Sequence, residues 1–95
     1  MEEIKERIKN LRYKMLIHSC LYYRFCTPII EDEIFDRWAR ELVHLQYKYK
    51  KESKEVVFYE GFKDWDGTTG FHLPITQDIE NKALRVVNYH RERNF

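Results

Sequence analysis

Cysteine, proline and glycine are all scarce in this 95-residue chain, with two, two and three residues. Cys20 and Cys26 are too few and too close together to staple a small secreted domain, and they lack the Cys-x-x-Cys spacing of a metal or redox pair. None of the four histidines, His18, His44, His72 and His90, has a histidine partner four residues away, so no metal site is expected. An excess of one charge is missing too: 17 Lys and Arg face 16 Asp and Glu, a formal net charge of +1. That removes the electrostatic drive for gripping a phosphate backbone, and nucleic acid is not an expected partner. No run approaches the roughly 20 apolar residues of a membrane span. The charged opening at Met1–Arg7 has no apolar segment of the kind a signal peptidase reads, and a reduced, cytoplasmic setting is the expectation.

Aromatic side chains are abundant, at 16% of residues: seven Tyr, six Phe and two Trp. They must serve as core, interface or ligand platform. The length fits a single domain over 1–95. A domain of this size buries only somewhat over roughly 60% of the surface its unfolded chain exposes, so an enclosed catalytic centre would compete with the core for the same side chains. Binding without catalysis is the expectation.

From Ile4 the pattern Ile8, Leu11, Met15, His18 and Tyr22 alternates steps of four and three, which predicts a long amphipathic helix. It stops at Cys26-Thr27-Pro28, because proline disfavours helical geometry in the residue before it. Ile34, Phe35, Trp38, Leu42, Leu45 and Tyr49 then repeat the spacing, with Asp32 predicted as the N-cap. Two long helices joined by a short turn predict an antiparallel hairpin over 1–52. The lysine-rich tract Tyr47–Glu55 reads as a solvated helix end. All three glycines follow, at Gly61, Gly67 and Gly70, predicting an ordered loop or short hairpin, with a strand or helical turn before it at Val56–Tyr59. Ile79, Ala83, Leu84, Val87 and Tyr89 predict a final helix. The expected fold is mainly α: a helical hairpin, then a glycine-containing loop segment and a C-terminal helix over 53–95.

The turn of the hairpin gathers Tyr22, Tyr23, Asp32, Phe35 and Asp36. Asp32 and Asp36, four apart, share a helix face next to Phe35. Rings beside carboxylates suit a flat cationic heterocycle, which stacks on the former and balances its charge on the latter. Each residue also has a structural reading. Asp32 and Asp36 favour a helix N-terminus, Tyr22 and Phe35 serve as core aromatics, and His18 is a hydrogen-bonded core histidine. Arg37 and Arg40 either face solvent or reach a phosphate. The Asp66–Gly70 stretch, with Thr68 and Thr69, either offers backbone N–H groups to a phosphate or forms a plain turn with Trp65 and Phe71 buried.

The segments Ile4–His18, Leu21-Tyr22-Tyr23, Pro28–Arg37 and Glu41–Leu45 resemble the N-terminal helical subdomain of NAD-dependent bacterial DNA ligases, without a gap over about the first half of the chain. The resemblance implies a hairpin that binds the nicotinamide mononucleotide (NMN) half of NAD, with Tyr22, Tyr23, Asp32, Phe35 and Asp36 lining the site. One departure is Phe35, where the family usually has tyrosine. The family's Lys-x-Asp-Gly adenylation motif is not reproduced: Lys63-Asp64-Trp65-Asp66-Gly67 has one residue too many, so Lys63 is not expected to be a nucleophile. The whole chain, including Trp65–Phe71 and Leu73-Pro74, is similar to small stand-alone ligase-related proteins of bacteriophages.

The expected function is non-catalytic recognition of NAD, NMN or a related ADP-ribose-type nucleotide, used by a phage to sequester a host immune signal. The alternative is a protein-interaction module that docks on a host ligase or another replication protein. A third reading has Asp32, Asp36 or Asp66 acting as the base of a nucleotide hydrolase. A homo-oligomer with sites at subunit boundaries would enclose more of a dinucleotide than one hairpin can.

Overall fold

The computed structural model describes residues 2–93. They form helices α1 (Glu2–Tyr23), α2 (Asp32–Lys48), α3 (Lys50–Lys54), α4 (Tyr59–Phe62) and α5 (Gln77–Arg93), with no strand among the described residues. The mainly α expectation holds. The end of α1 meets the start of α2, and the middle of α1 meets the end of α2 through Arg12 and Gln46, so the hairpin is antiparallel. α5 packs on another side of α1, held by Arg24–Glu80 at 2.6 Å and by Lys82 over the Tyr13 ring.

That second contact changes the character of α1. Its buried residues are Ile8, Leu11, Arg12, Met15, Leu16, Ser19, Cys20 and Leu21, more than one amphipathic stripe can hold. The spacing of four and three read from the sequence followed only one face, the one on which His18 meets Trp38 of α2. α2 has just Ala39 and Leu42 fully buried, with Phe35, Trp38 and Leu45 packed at the edge of the core. In α5, Ile79, Ala83 and Val87 are buried, whereas Leu84 and Tyr89 lie on the exposed side, contrary to the pattern expected for that helix.

α1 ends at Tyr23; three residues on, Cys26 takes a left-handed φ of 51° and the Thr27 N–H reaches back to the Leu21 carbonyl, so the chain has already turned away before Pro28. Asp32 is not the N-cap of α2. Extended Glu31 holds that position without a side-chain cap bond, and its carbonyl accepts the first helical N–H groups, from Ile34 and Phe35. Asp32 is the first helical residue, where a carboxylate still favours the helix dipole. Thr76 does cap: its Oγ1 accepts the Ile79 N–H at the start of α5.

The tract after α2 is only partly solvated. Its lysines point outward, but Ser53 is buried and bonded to Arg12, which is itself fully buried in α1. The Arg12 guanidinium donates to Gln46 Oε1, to the Ser53 hydroxyl and carbonyl, and to the Val56 and Val57 carbonyls. Val56–Tyr59, where a strand was one expectation, is a turn running into α4. Phe58 sits there at φ 71°, an uncommon conformation for an aromatic residue, with its ring edge-to-face on Tyr13 at 5.1 Å. The turn thereby presents two carbonyls to one cation. Burial lowers the Arg12 pKa to about 10, so the group stays charged at neutral pH. Arg12→Met would leave those carbonyls and Ser53 unpaired. Denaturant unfolding should show a loss of about 3 kcal/mol, and Arg12→Lys, lacking the planar fork, should recover only part of it.

Candidate functional site

The hairpin's turn end is hollow. A cavity of about 210 Å³ is lined from α1 by His18, Ser19, Tyr22 and Tyr23, and from α2 by Asp32, Phe35 and Asp36. Pro28, Ile29 and Ile30 of the connection close one side, and Thr68 reaches it from the later loop. All five residues expected at the site therefore stand together. Their helical spacing is what brings them there: Ser19 and Tyr22 are one turn apart on α1, as are Asp32 and Asp36 on α2.

The carboxylates are exposed, and among the described residues neither Asp32 nor Asp36 forms an ion pair. Further along α2, by contrast, Glu41 holds Arg7 through two bonds at 2.6 and 2.7 Å, which depresses its pKa. The cavity thus presents uncompensated negative charge beside aromatic rings, an arrangement suited to a planar cation.

Of the residues considered for phosphate contact, only Thr68 reaches the cavity. Arg37 and Arg40 are exposed and stand outside it; Arg40 borders a separate groove with Val43 and Tyr47. Trp65 faces another hollow beside Tyr59 and Lys63, and its Nε1 donates to the Thr69 carbonyl at 2.7 Å. Asp66 takes both the N–H and the hydroxyl of Thr68, at 3.0 and 2.7 Å, which lowers the Asp66 pKa and removes that N–H from any anion. Thr69 Oγ1 pairs with the Tyr23 hydroxyl at 2.9 Å and accepts the Phe71 N–H. The loop is an ordered turn, with Gly67 at φ 83°, as the plainer reading expected. Trp65 is half-buried, but Phe71 is exposed, contrary to that reading.

Two residues differ from their sequence reading in a way that concerns the cavity. His18 is not a satisfied core histidine: its Nδ1 is buried without a hydrogen-bond partner, as is the Ser19 hydroxyl. The His18 ring lies 5.5 Å from Trp38, whose face also carries the Lys14 ammonium at 4.5 Å. Burial, and then Lys14, push the His18 pKa down to about 4, so the ring is neutral at pH 7. Ser19 was missed entirely, because a serine within an apolar helix carries no periodic signal. Its partner is Gly70: a Cβ there would lie 1.9 Å from Ser19 Oγ and 3.5 Å from Phe35 Cζ. The later loop presses on the cavity wall where the two helices meet. Among the described residues, no group of three His, Cys, Asp or Glu side chains is placed to hold a metal ion, and no described helix is long and apolar enough to cross a membrane.

The profile of the family described as "DNA ligase-like, N-terminal NAD+-binding domain" matches residues 1–54, which include α1, α2 and every cavity residue except Thr68. The chain belongs to that family. DNA ligases of Pseudothermotoga lettingae and Petrotoga mobilis are 46% and 40% identical to it over 48 residues, half of this chain and 7% of each ligase. The DNA ligase of Thermoanaerobacter pseudethanolicus is 47% identical over 45 residues, 47% of this chain and again 7% of the ligase. The chain therefore spans a small fraction of the length of these relatives. No solved structure matches it.

Two outcomes test this geometry. A His18 pKa depressed below its unfolded value near 6.5 means the unfolded chain binds more protons between those values, so stability is full above pH 6.5 and falls as pH drops toward 4. Thermal melts from pH 7 to 5 should show this loss, and His18→Phe should flatten it. Gly70→Ala should lower the melting temperature by an amount equivalent to about 1–3 kcal/mol, because Ser19 or the loop must move, and Ser19→Gly in the same chain should restore part of it.

Proposed function

We propose that this chain binds the nicotinamide half of NAD, or NMN itself, in the hairpin cavity, and that its 95 residues bind without transforming the ligand. The observation that carries this reading is the pairing of two exposed, unpaired carboxylates with aromatic side chains around one hollow of about 210 Å³. Membership of a family described by NAD+ binding supports it independently. The oxidised nicotinamide ring is planar and cationic. It would stack against Phe35 or Tyr22, while Asp32 and Asp36 balance its charge and accept hydrogen bonds from its ribose or carboxamide. Stacking and cation–π contact contribute about 0.5–2 kcal/mol. A carboxylate at 4 Å adds between about 1 and 4 kcal/mol as the local dielectric falls from that of water to that of a protein surface.

Binding without turnover fits the chemistry of the second half. Lys63 is exposed and paired with Glu60 at 3.0 Å, which raises its pKa, whereas a nucleophilic lysine needs a lowered one. The same cavity would let a free copy of this fold sequester an NAD-derived signal, the use expected from its likeness to phage proteins. That reading is checked by whether the chain, added in excess, protects such a nucleotide from an enzyme that consumes it.

Calorimetric titration with NMN tests the central claim. Asp32→Ala and Asp36→Ala should each weaken binding about tenfold or more while leaving the melting temperature within a few degrees, since both side chains are exposed. Absence of any NMN binding by the parent chain sinks the proposal. Intact-mass measurement after incubation with NAD should show no adenylylated protein, and a covalent adduct would overturn the non-catalytic assignment.

A further inference from the structure

Beside the cavity mouth stands an aromatic shelf that the hairpin alone does not make. Tyr22 and Tyr23 are 51% and 42% exposed, with ring centroids 4.8 Å apart, edge to face. Phe71 continues the row at 5.4 Å from Tyr23 and is 63% exposed. His72 follows at 5.0 Å. Tyr22 and Tyr23 also line the cavity, so shelf and cavity are continuous. Phe71 and His72 lie outside the stretch that matches the family.

The shelf is held in place rather than left loose. The Phe71 N–H donates to Thr69 Oγ1 at 3.2 Å, and Thr69 Oγ1 shares a hydrogen bond with the Tyr23 hydroxyl at 2.9 Å. Gly70, directly before Phe71, is buried against Ser19. The backbone therefore fixes a large apolar ring in water where a small polar residue would be expected. Each edge-to-face contact covers one face of one ring only, and the 63% exposure of Phe71 leaves ring surface open to water, which is what a planar base stacks on.

Size decides what the shelf is for. Pockets that enclose drug-sized ligands run from roughly 300 Å³ upward. About 210 Å³ holds part of a dinucleotide, and the remainder must lie along the surface next to the opening. We infer that Phe71, with Tyr23, forms a second subsite on this chain that stacks the purine ring joined through a pyrophosphate to the nicotinamide nucleotide, so that the intact dinucleotide binds more tightly than its mononucleotide half. The inference rests on the cavity being the nicotinamide site. It places both ends of the dinucleotide on a single chain, with no second subunit needed to cover the outer half.

The test is a two-by-two titration: NAD and NMN against the parent chain and Phe71→Ala. In the parent, NAD should bind about tenfold more tightly than NMN. Phe71→Ala should lower the affinity for NAD about tenfold, the scale of one base–aromatic stack, and leave that for NMN unchanged. The change in the NAD-to-NMN ratio cancels the difference in phosphate charge between the ligands, because Phe71 is uncharged. Phe71→Trp should keep the preference. NMN binding with equal affinity for NAD, or a ratio untouched by Phe71→Ala, overturns the second subsite while leaving the nicotinamide site standing. Failure of both ligands to bind the parent chain removes both readings. Self-association that Phe71→Ala abolishes, with the ratio unmoved, assigns the shelf to contact between copies instead.

Discussion

A single buried cation fixes how the two halves of this chain meet. Arg12 stands on α1, in the part shared with the ligase family, and its guanidinium is satisfied by neutral oxygens from Gln46, Ser53, Val56 and Val57. Burying a charge without a carboxylate partner is costly, and the structure offsets that cost by filling the donors of a rigid fork. The consequence is directional. A fork donates to carbonyls only in its own plane, so the turn at 56–58 has one way to sit, and Phe58 is held in a left-handed conformation as part of that arrangement. Gln46, already oriented by Arg12, donates to the Phe62 carbonyl at 3.2 Å, and the Phe62 ring packs on Trp65. The position of the loop that reaches the cavity follows from this chain of contacts.

The cavity in turn depends on both halves. α1 and α2 bring its rings and carboxylates to one end of the hairpin, but the hairpin by itself would leave Ser19 facing open space. Gly70 fills it, at a distance no residue with a Cβ tolerates. Local order in the 65–71 loop comes from side chains bonding nearby backbone, through Asp66 to Thr68 and Thr69 to Phe71, so the segment carries its own geometry to the site. The unpaired Nδ1 of His18 and hydroxyl of Ser19 are the exceptions in an otherwise satisfied region. Buried groups without partners are uncommon and weaken a fold, so their meeting at one hollow marks it as something other than well-packed core.

The helices were legible because their apolar residues repeat with helical period, and the convergence of five residues on one cavity was legible because they flank a proline-containing turn between two such helices. Less visible was everything that depends on a third body. α1 carries a second buried face toward α5 and the later segments, and Arg12, Leu16 and Cys20 on it break the single stripe. An arginine within an amphipathic helix reads as surface, since nothing local reveals five acceptors supplied from residues 46 to 57. Asp32 was misplaced by one position, because aspartate suits both the N-cap and the first helical turn, and only the backbone angles of Glu31 decide between them. Phe71 was read as buried because phenylalanine usually is. Its exposure comes from Gly70, whose close contact with Ser19 fixes where the next residue stands.

Phe35, where the resemblance implies a tyrosine, has a physical setting in the same contact. Phe35 Cζ is among the atoms nearest to Gly70, 3.5 Å from the place its Cβ would occupy, and Cζ is the atom from which a tyrosine hydroxyl projects. The loop thus lies beside the ring end that would carry the oxygen. Phenylalanine keeps the stacking face and removes the group that a covering loop would bury. Where the second half of the chain meets the cavity wall, Phe35 is one of the residues it packs beside.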